Sequence, residues 1–171
     1  DPTLAFKVAA AAAQVGLPLS LETCLRLGEG AAAISTPWPR VARENFISLI
    51  GGGHSMIAIW EAYEQEGIIT QWFPEWEAVS SLPQRNVLHR HTVDRHMVET
   101  VLHASALTRM VHRPDLLLFA ALFHDIGKGS QEDHSIRGAQ LIGPIAARIG
   151  FDVDEQETLR ILVEQHLLLS A

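Results

Sequence analysis

Eight consecutive apolar residues, Leu116-Leu117-Leu118-Phe119-Ala120-Ala121-Leu122-Phe123, run straight into His124-Asp125. Pro114 ahead of them suits the first turn of a helix. The stretch therefore reads as a helix over Asp115 to Ile126 that is apolar on every side, and such a helix has to sit at the centre of the fold with others packed around it. Elsewhere the apolar residues recur with a helical period, and no long alternating pattern competes with it. The predicted fold class is all-α. At 171 residues the chain is long enough to bury about 70% of its unfolded surface in one core. No apolar run approaches the 18 or so residues of a membrane span, so a globular domain in water is expected.

Helix signals divide the chain. Asp1-Pro2 opens an Ala-rich helix that stops at Gly16, and Ser20 caps a short second helix through Leu27, after which Gly28-Glu29-Gly30 loosens the chain. Thr36-Pro37 starts a third helix through Ile50, ended by Gly51-Gly52-Gly53, and His54 to Glu66 forms a fourth, stopped by Gly67. Ile68 to Asn86, with Trp72, Phe73, Pro74, Trp76 and Pro83, reads as an irregular connector whose aromatics pack beneath it. Thr92 caps a long helix to about Val111 with Val93, Met97, Val101, Ala104 and Leu107 or Thr108 on one stripe, packed antiparallel to the apolar helix after a short turn at Pro114. Asp133 caps a helix to Ile149, and the last runs from about Asp154 to Leu169. These signals divide the chain into a helical extension with its connector over 1–86 and a more regular helical half over 87–171.

The chemistry is sought among nine histidines, an unusual number beside a single tyrosine. The single Cys24 rules out an internal disulfide and a multi-cysteine zinc site, and a reducing cytoplasm is its simplest home. A net charge of −7 argues against an extended nucleic-acid footprint. His124-Asp125 closes the most apolar helix, where two ionisable groups are costly unless something engages them. Imidazole and carboxylate together make a donor set for a divalent ion, and antiparallel packing can bring His96 alongside. On its own such a pair reads more readily as two hydrogen-bonded polar residues of the core than as metal ligands.

Phe123-His124-Asp125-Ile126-Gly127-Lys128-Gly129, following an apolar helix and His96 in Val93-Asp94-Arg95-His96, resembles the HD-domain metal-dependent phosphohydrolases. Within that superfamily the chain is most similar to the HD domain of the bifunctional uridylyltransferase/uridylyl-removing enzymes. The similarity extends through Pro74-Glu75-Trp76, Gln84-Arg85-Asn86, His91 to His96, Pro114-Asp115-Leu116-Leu117, Asp133-His134-Ser135 with Gly138-Ala139, and His166-Leu167-Leu168, and upstream through Asp1-Pro2-Thr3 and Trp38-Pro39 with Arg43, so that it covers nearly all of the chain. The resemblance implies a helical HD bundle with an N-terminal helical extension. It implies that His96, His124 and Asp125 bind a metal, that His134 and His166 add ligands for a second ion, and that Asp125 and Lys128 are catalytic, with Lys128 near the scissile phosphate. Asp133 is read as a helix cap, His103 as a core or supporting residue, His89 and His91 as loop residues, and His54 as part of a helix break.

The implied reaction is hydrolysis of a phosphodiester that joins a nucleotide, UMP or AMP, to a tyrosine of the nitrogen-regulatory PII signal protein. One or two ions of manganese, iron or zinc suit the histidine-rich donors better than magnesium. The superfamily pattern closes with a further Asp after the last histidine, and only Leu167 to Ala171 follows His166 here. The chain is therefore expected to be a segment of a longer protein, with a nucleotidyltransferase domain before it and ACT domains after it. Two other functions fit the same residues: hydrolysis of a free nucleotide, and a non-catalytic module that the metal only stabilises.

Overall fold

The computed structural model describes residues 1–31, 34–84 and 91–168. Its helices are α1 (Leu4–Val15), α2 (Leu21–Ala31), α3 (Arg40–Ile50), α4 (His54–Gln65), α5 (Ile68–Trp72), α6 (Val93–Ser105), α7 (Pro114–Phe123), α8 (His134–Ile149) and α9 (Val153–Glu164), with 3-10 turns at Pro74–Ala78 and Thr108–Met110. No strand occurs among the described residues, and the fold is all-α as expected. The expectations for Arg85, Asn86, His89 and the boundary between 86 and 87 lie outside the described residues, and α9 ends at Glu164, short of the expected end at Leu169, with 165–168 forming a turn.

One apolar core runs through the first and second halves. Phe6 of α1 stacks on Trp72 at 3.9 Å, and Phe46 of α3 reaches Phe73 at 5.3 Å. Phe73 in turn meets Phe123 of α7 edge-on at 5.0 Å. The connector aromatics Trp72, Phe73 and Trp76 are buried in this cluster, as expected. Burial of each large aromatic contributes on the order of 2 to 3 kcal/mol, and the offset and edge contacts add to it. Tyr63 donates from its hydroxyl to the Ala5 carbonyl at 2.8 Å, fastening α4 to α1.

Several element boundaries differ from expectation. α2 continues through Gly28 and Gly30 to Ala31, with Gly28 packed beside Ile68 at the start of α5. α3 begins at Arg40 rather than at Thr36-Pro37, since the chain first tucks Trp38 into the core, its amide donating to the Arg148 carbonyl at 2.8 Å. α6 ends at Ser105, not near Val111. The Ser105 hydroxyl donates to the Leu102 carbonyl and the Thr108 hydroxyl to the Ser105 carbonyl, side-chain bonds that compete with continuation of the helix. Thr92 stands at the N-cap position of α6, but its side chain makes no capping bond. The connector contains α5 and a 3-10 turn, both short. Asp152 caps α9 through a reciprocal pair with Glu155, so that helix starts a residue before Asp154.

Polar clamps hold the second half. Arg148 of α8 engages Glu75 through both carboxylate oxygens at 2.5 and 2.9 Å. Burial alone would raise the Glu75 carboxyl, yet the Arg148 hydrogen bonds hold it below its usual range. Arg113 pairs with Asp115 at 2.7 Å and Glu155 at 2.5 Å, while Arg43 approaches the same two carboxylates at 3.7 and 3.6 Å, joining α3, α7 and α9.

Candidate metal centre

The centre forms where the ends of helices meet. His96 lies one turn into α6, and His124 and Asp125 follow the end of α7. Their contact at opposite ends of two neighbouring helices shows that α6 and α7 run antiparallel. His134 is the first residue of α8, placed there by Asp133, whose carboxylate accepts from the Ser135 and Ile136 amides. His166 follows α9. The turn carrying Asp125 is pressed against α8 so closely that a Cβ on Gly127 would stand 2.2 Å from the His134 carbonyl oxygen and 2.4 Å from the Gly138 nitrogen. Gly129, with φ +89°, passes the Ala78 carbonyl in the same way.

Asp125 is the hub. It is only 2% exposed. Its Oδ2 lies 3.3 Å from His124 Nε2 and 3.6 Å from His96 Nε2, and its Oδ1 lies 3.5 Å from His166 Nε2 and 3.7 Å from His134 Nε2. His96 and His124 face each other with their Nε2 atoms 3.2 Å apart. Two triads result, His96-His124-Asp125 and Asp125-His134-His166, each with ligand atoms within 4.8 Å of one another and Asp125 shared. Lys128 reaches Asp125 Oδ2 at 2.7 Å and Gln84 Oε1 at 3.0 Å.

The electrostatics suit cations. Burial pushes the Asp125 carboxyl up, but the imidazoles of His124 and His166 and the Lys128 ammonium outweigh burial and hold it far below the usual carboxylate range. It stays ionised. Burial lowers His134, which keeps its imidazole neutral and able to donate a lone pair. For His166 burial also acts downward, but Asp125 and the Val163 carbonyl prevail and raise it, so a proton competes with an ion there.

The donor set fits a metal. Nδ1 of His124 lies 2.8 Å from the Ala121 carbonyl and Nδ1 of His166 lies 2.6 Å from the Val163 carbonyl, contacts that place the proton on Nδ1 and turn the Nε2 lone pair towards Asp125. His166 Nε2 is buried there without a hydrogen-bond partner, the state of an imidazole awaiting a ligand. The cluster opens into a cavity of about 750 Å³ that Gln84, Lys128, Ser130 and Leu167 also line.

The structure thus brings together all six positions singled out by sequence: His96, His124, Asp125, Lys128, His134 and His166. His103 is exposed rather than buried in the core, and it lines a groove beside the cluster with His96 and Thr100, while His54 and His91 are exposed. Gln84 was quoted only as part of a motif, and its contact with Lys128 has no signature in a sequence pattern because it joins a loop to a turn 44 residues away.

Comparison with known proteins identifies the relatives of this chain. The sequence profile of the HD domain matches residues 93–171. Bifunctional uridylyltransferase/uridylyl-removing enzymes are similar over almost the whole chain: that of Streptomyces coelicolor is 52% identical over 99% of the chain, that of Mycobacterium tuberculosis 44% over 99%, and that of Corynebacterium glutamicum 34% over 97%. The chain spans about one fifth of the length of these relatives, 20%, 21% and 24% respectively. From Val93 onward the chain belongs to the HD-domain family, and over nearly its full length it is similar to one segment of the uridylyltransferase/uridylyl-removing enzymes.

Proposed function

We propose that this chain is the hydrolytic segment of a uridylyl-removing enzyme, releasing UMP from a tyrosine of a nucleotidylated PII signal protein. The observation that carries the reading is the pair of His-Asp triads sharing Asp125, with Lys128 at the carboxylate edge that faces the open cavity. The similarity to enzymes named as uridylyl-removing supports the choice of substrate.

His96, His124 and Asp125 would hold one divalent ion, and His134 and His166, with Asp125 as the bridge, a second. An ion at such donors supplies an activated water near neutral pH and neutralises phosphate charge. Manganese, iron or zinc suits the imidazole-rich set better than magnesium. Asp125, fixed as an anion, orients the donors around it. Lys128 offers its ammonium to the phosphoryl oxygens as negative charge builds on them. The departing tyrosine phenolate has a conjugate acid near pKa 10, and it needs less proton assistance than an alkoxide. The open cavity admits a protein loop carrying the modified tyrosine, where a free nucleotide would call for a closed base pocket. Residues 87–171 form the catalytic core in this reading and 1–86 its helical extension, acting in the cytoplasm beside nucleotidyltransferase and ACT domains of a longer chain.

The test is UMP release from nucleotidylated PII by the full-length parent enzyme with manganese or zinc, comparing wild type with the double variant His124→Ala, Asp125→Ala. Release should be abolished while nucleotide attachment continues. Undiminished release by the folded double variant would overturn the assignment, and metal retention without turnover by the wild type would favour a purely structural site.

A further inference from the structure

The hydrolytic reading gives Lys128 a task but leaves open what aims it. Among the described residues Lys128 Nζ has two partners, Asp125 Oδ2 at 2.7 Å and Gln84 Oε1 at 3.0 Å. The same Oδ2 completes the His96-His124-Asp125 triad. An ion bound by that triad and the lysine ammonium therefore draw on one oxygen, and two cations sharing it repel each other. Gln84 is the neutral contact that the ammonium keeps when the carboxylate is taken.

Gln84 is built into that position. The Leu82 carbonyl accepts from the Val93 amide at 2.9 Å, and the Ser81 amide donates to the buried carboxylate of Asp94 at 2.5 Å, two bonds that pin the chain just before Gln84 to the first turn of α6. Ser81 adopts a left-handed φ of +54° to make this turn. Leu82 also reaches towards Gly129, on the same turn as Lys128. Because an ammonium has only protons to give, the amide must turn its oxygen to Lys128. Among the described residues its buried Nε2 has no partner. A buried amide that satisfies only the end facing a lysine is not there for its own stability.

We propose that Gln84 is a positioning residue: through Oε1 it holds the Lys128 ammonium beside the metal centre, directed at the phosphoryl group of the substrate. This inference rests on the hydrolytic reading only in taking the ligand to be a phosphate ester. Gln84 acts through Lys128, so its effect depends on the lysine being present.

The experiment is a double-mutant cycle on the manganese-loaded chain with Gln84→Met, Lys128→Met and the pair, the methionines keeping side-chain volume. Calorimetric titrations with inorganic phosphate, UMP and uridine are read together with bound manganese and the melting temperature. Gln84→Met should weaken phosphate and UMP about tenfold, the loss expected when one charge-assisted contact is misplaced. Uridine affinity and manganese stoichiometry should not change, and in the Lys128→Met background the Gln84 substitution should cost nothing more. Unchanged phosphate affinity in Gln84→Met, additive losses in the double variant, a loss confined to uridine, loss of manganese together with the fold, or no phosphate binding by the wild type would each overturn the proposal. Failed coupling with intact UMP release from nucleotidylated PII would remove Gln84 alone, whereas release that survives removal of His124 and Asp125 would remove the hydrolytic reading.

Discussion

A Cβ on Gly127 would meet backbone, not flexible side chains, on two sides. Nothing nearby can swing away, so the turn bearing Asp125 would have to lift off α8. Gly127→Ala is expected to destabilise the fold by about 2 to 4 kcal/mol, the range of severe overpacking, measurable by urea unfolding, and to weaken manganese binding because Asp125 moves with the turn. Gly138 is a milder case, since its Cβ would strike the Val163 methyl at 2.9 Å, a side chain with some freedom. The two glycines of the His-Asp turn thus do more than end a helix. Gly127 lets two backbones touch, and Gly129 supplies a left-handed φ.

Among the elements, the clamp between α8 and the 3-10 turn at Pro74–Ala78 has a defined pH signature. Glu75 is held below its ordinary pKa in the fold by Arg148, so its contribution is present above the unfolded value near 4.3 and is lost as pH falls through the lower folded value. Glu75→Gln should therefore cost about 1 to 2 kcal/mol at pH 6, and the gap from wild type should close as urea unfolding is repeated down to pH 3. A constant gap across that range would mean that packing, not charge, holds the clamp. Legibility also divides by element. α1, α4, α7 and α8 could be read from their apolar periods, from Gly16, from Pro114 and from the Asp133 cap, all local signals. The early end of α6 was hidden because Ser105 and Thr108 look like ordinary helix residues until their hydroxyls find backbone carbonyls. The late start of α3 was hidden because burial of Trp38 is a tertiary demand. At the site, His124-Asp125 announced itself by ionisable groups in an apolar setting, whereas His134 and His166 were legible only through family resemblance, and Gln84, though part of a shared motif, gave no sign of its contact with Lys128.

Taken as a whole molecule, the described residues include no helix long and apolar enough to cross a membrane, and the only cluster of metal-competent donors among them centres on Asp125. A ligand that binds the folded form alone raises stability with its concentration. Manganese at a hundred times its dissociation constant should therefore stabilise the chain by about 2.7 kcal/mol. The rise in melting temperature should disappear with a chelator and in His124→Ala. A shift that persisted in His124→Ala would place the ion elsewhere. The donors come from the start of α6, the end of α7, the start of α8 and the residues after α9, with the turn between α7 and α8 wedged against α8. The stretch from His124 to His134 holds part of the centre, but the contacts that complete both triads, His96 with His124 and Asp125 and His166 with Asp125, join distant parts of the chain. Contacts so distant in sequence form late on a folding route, after the entropy of closing the intervening loops has been overcome. Added metal should leave the refolding rate nearly unchanged and act almost wholly by slowing unfolding, making the ion a lock on the finished fold and not a seed for it.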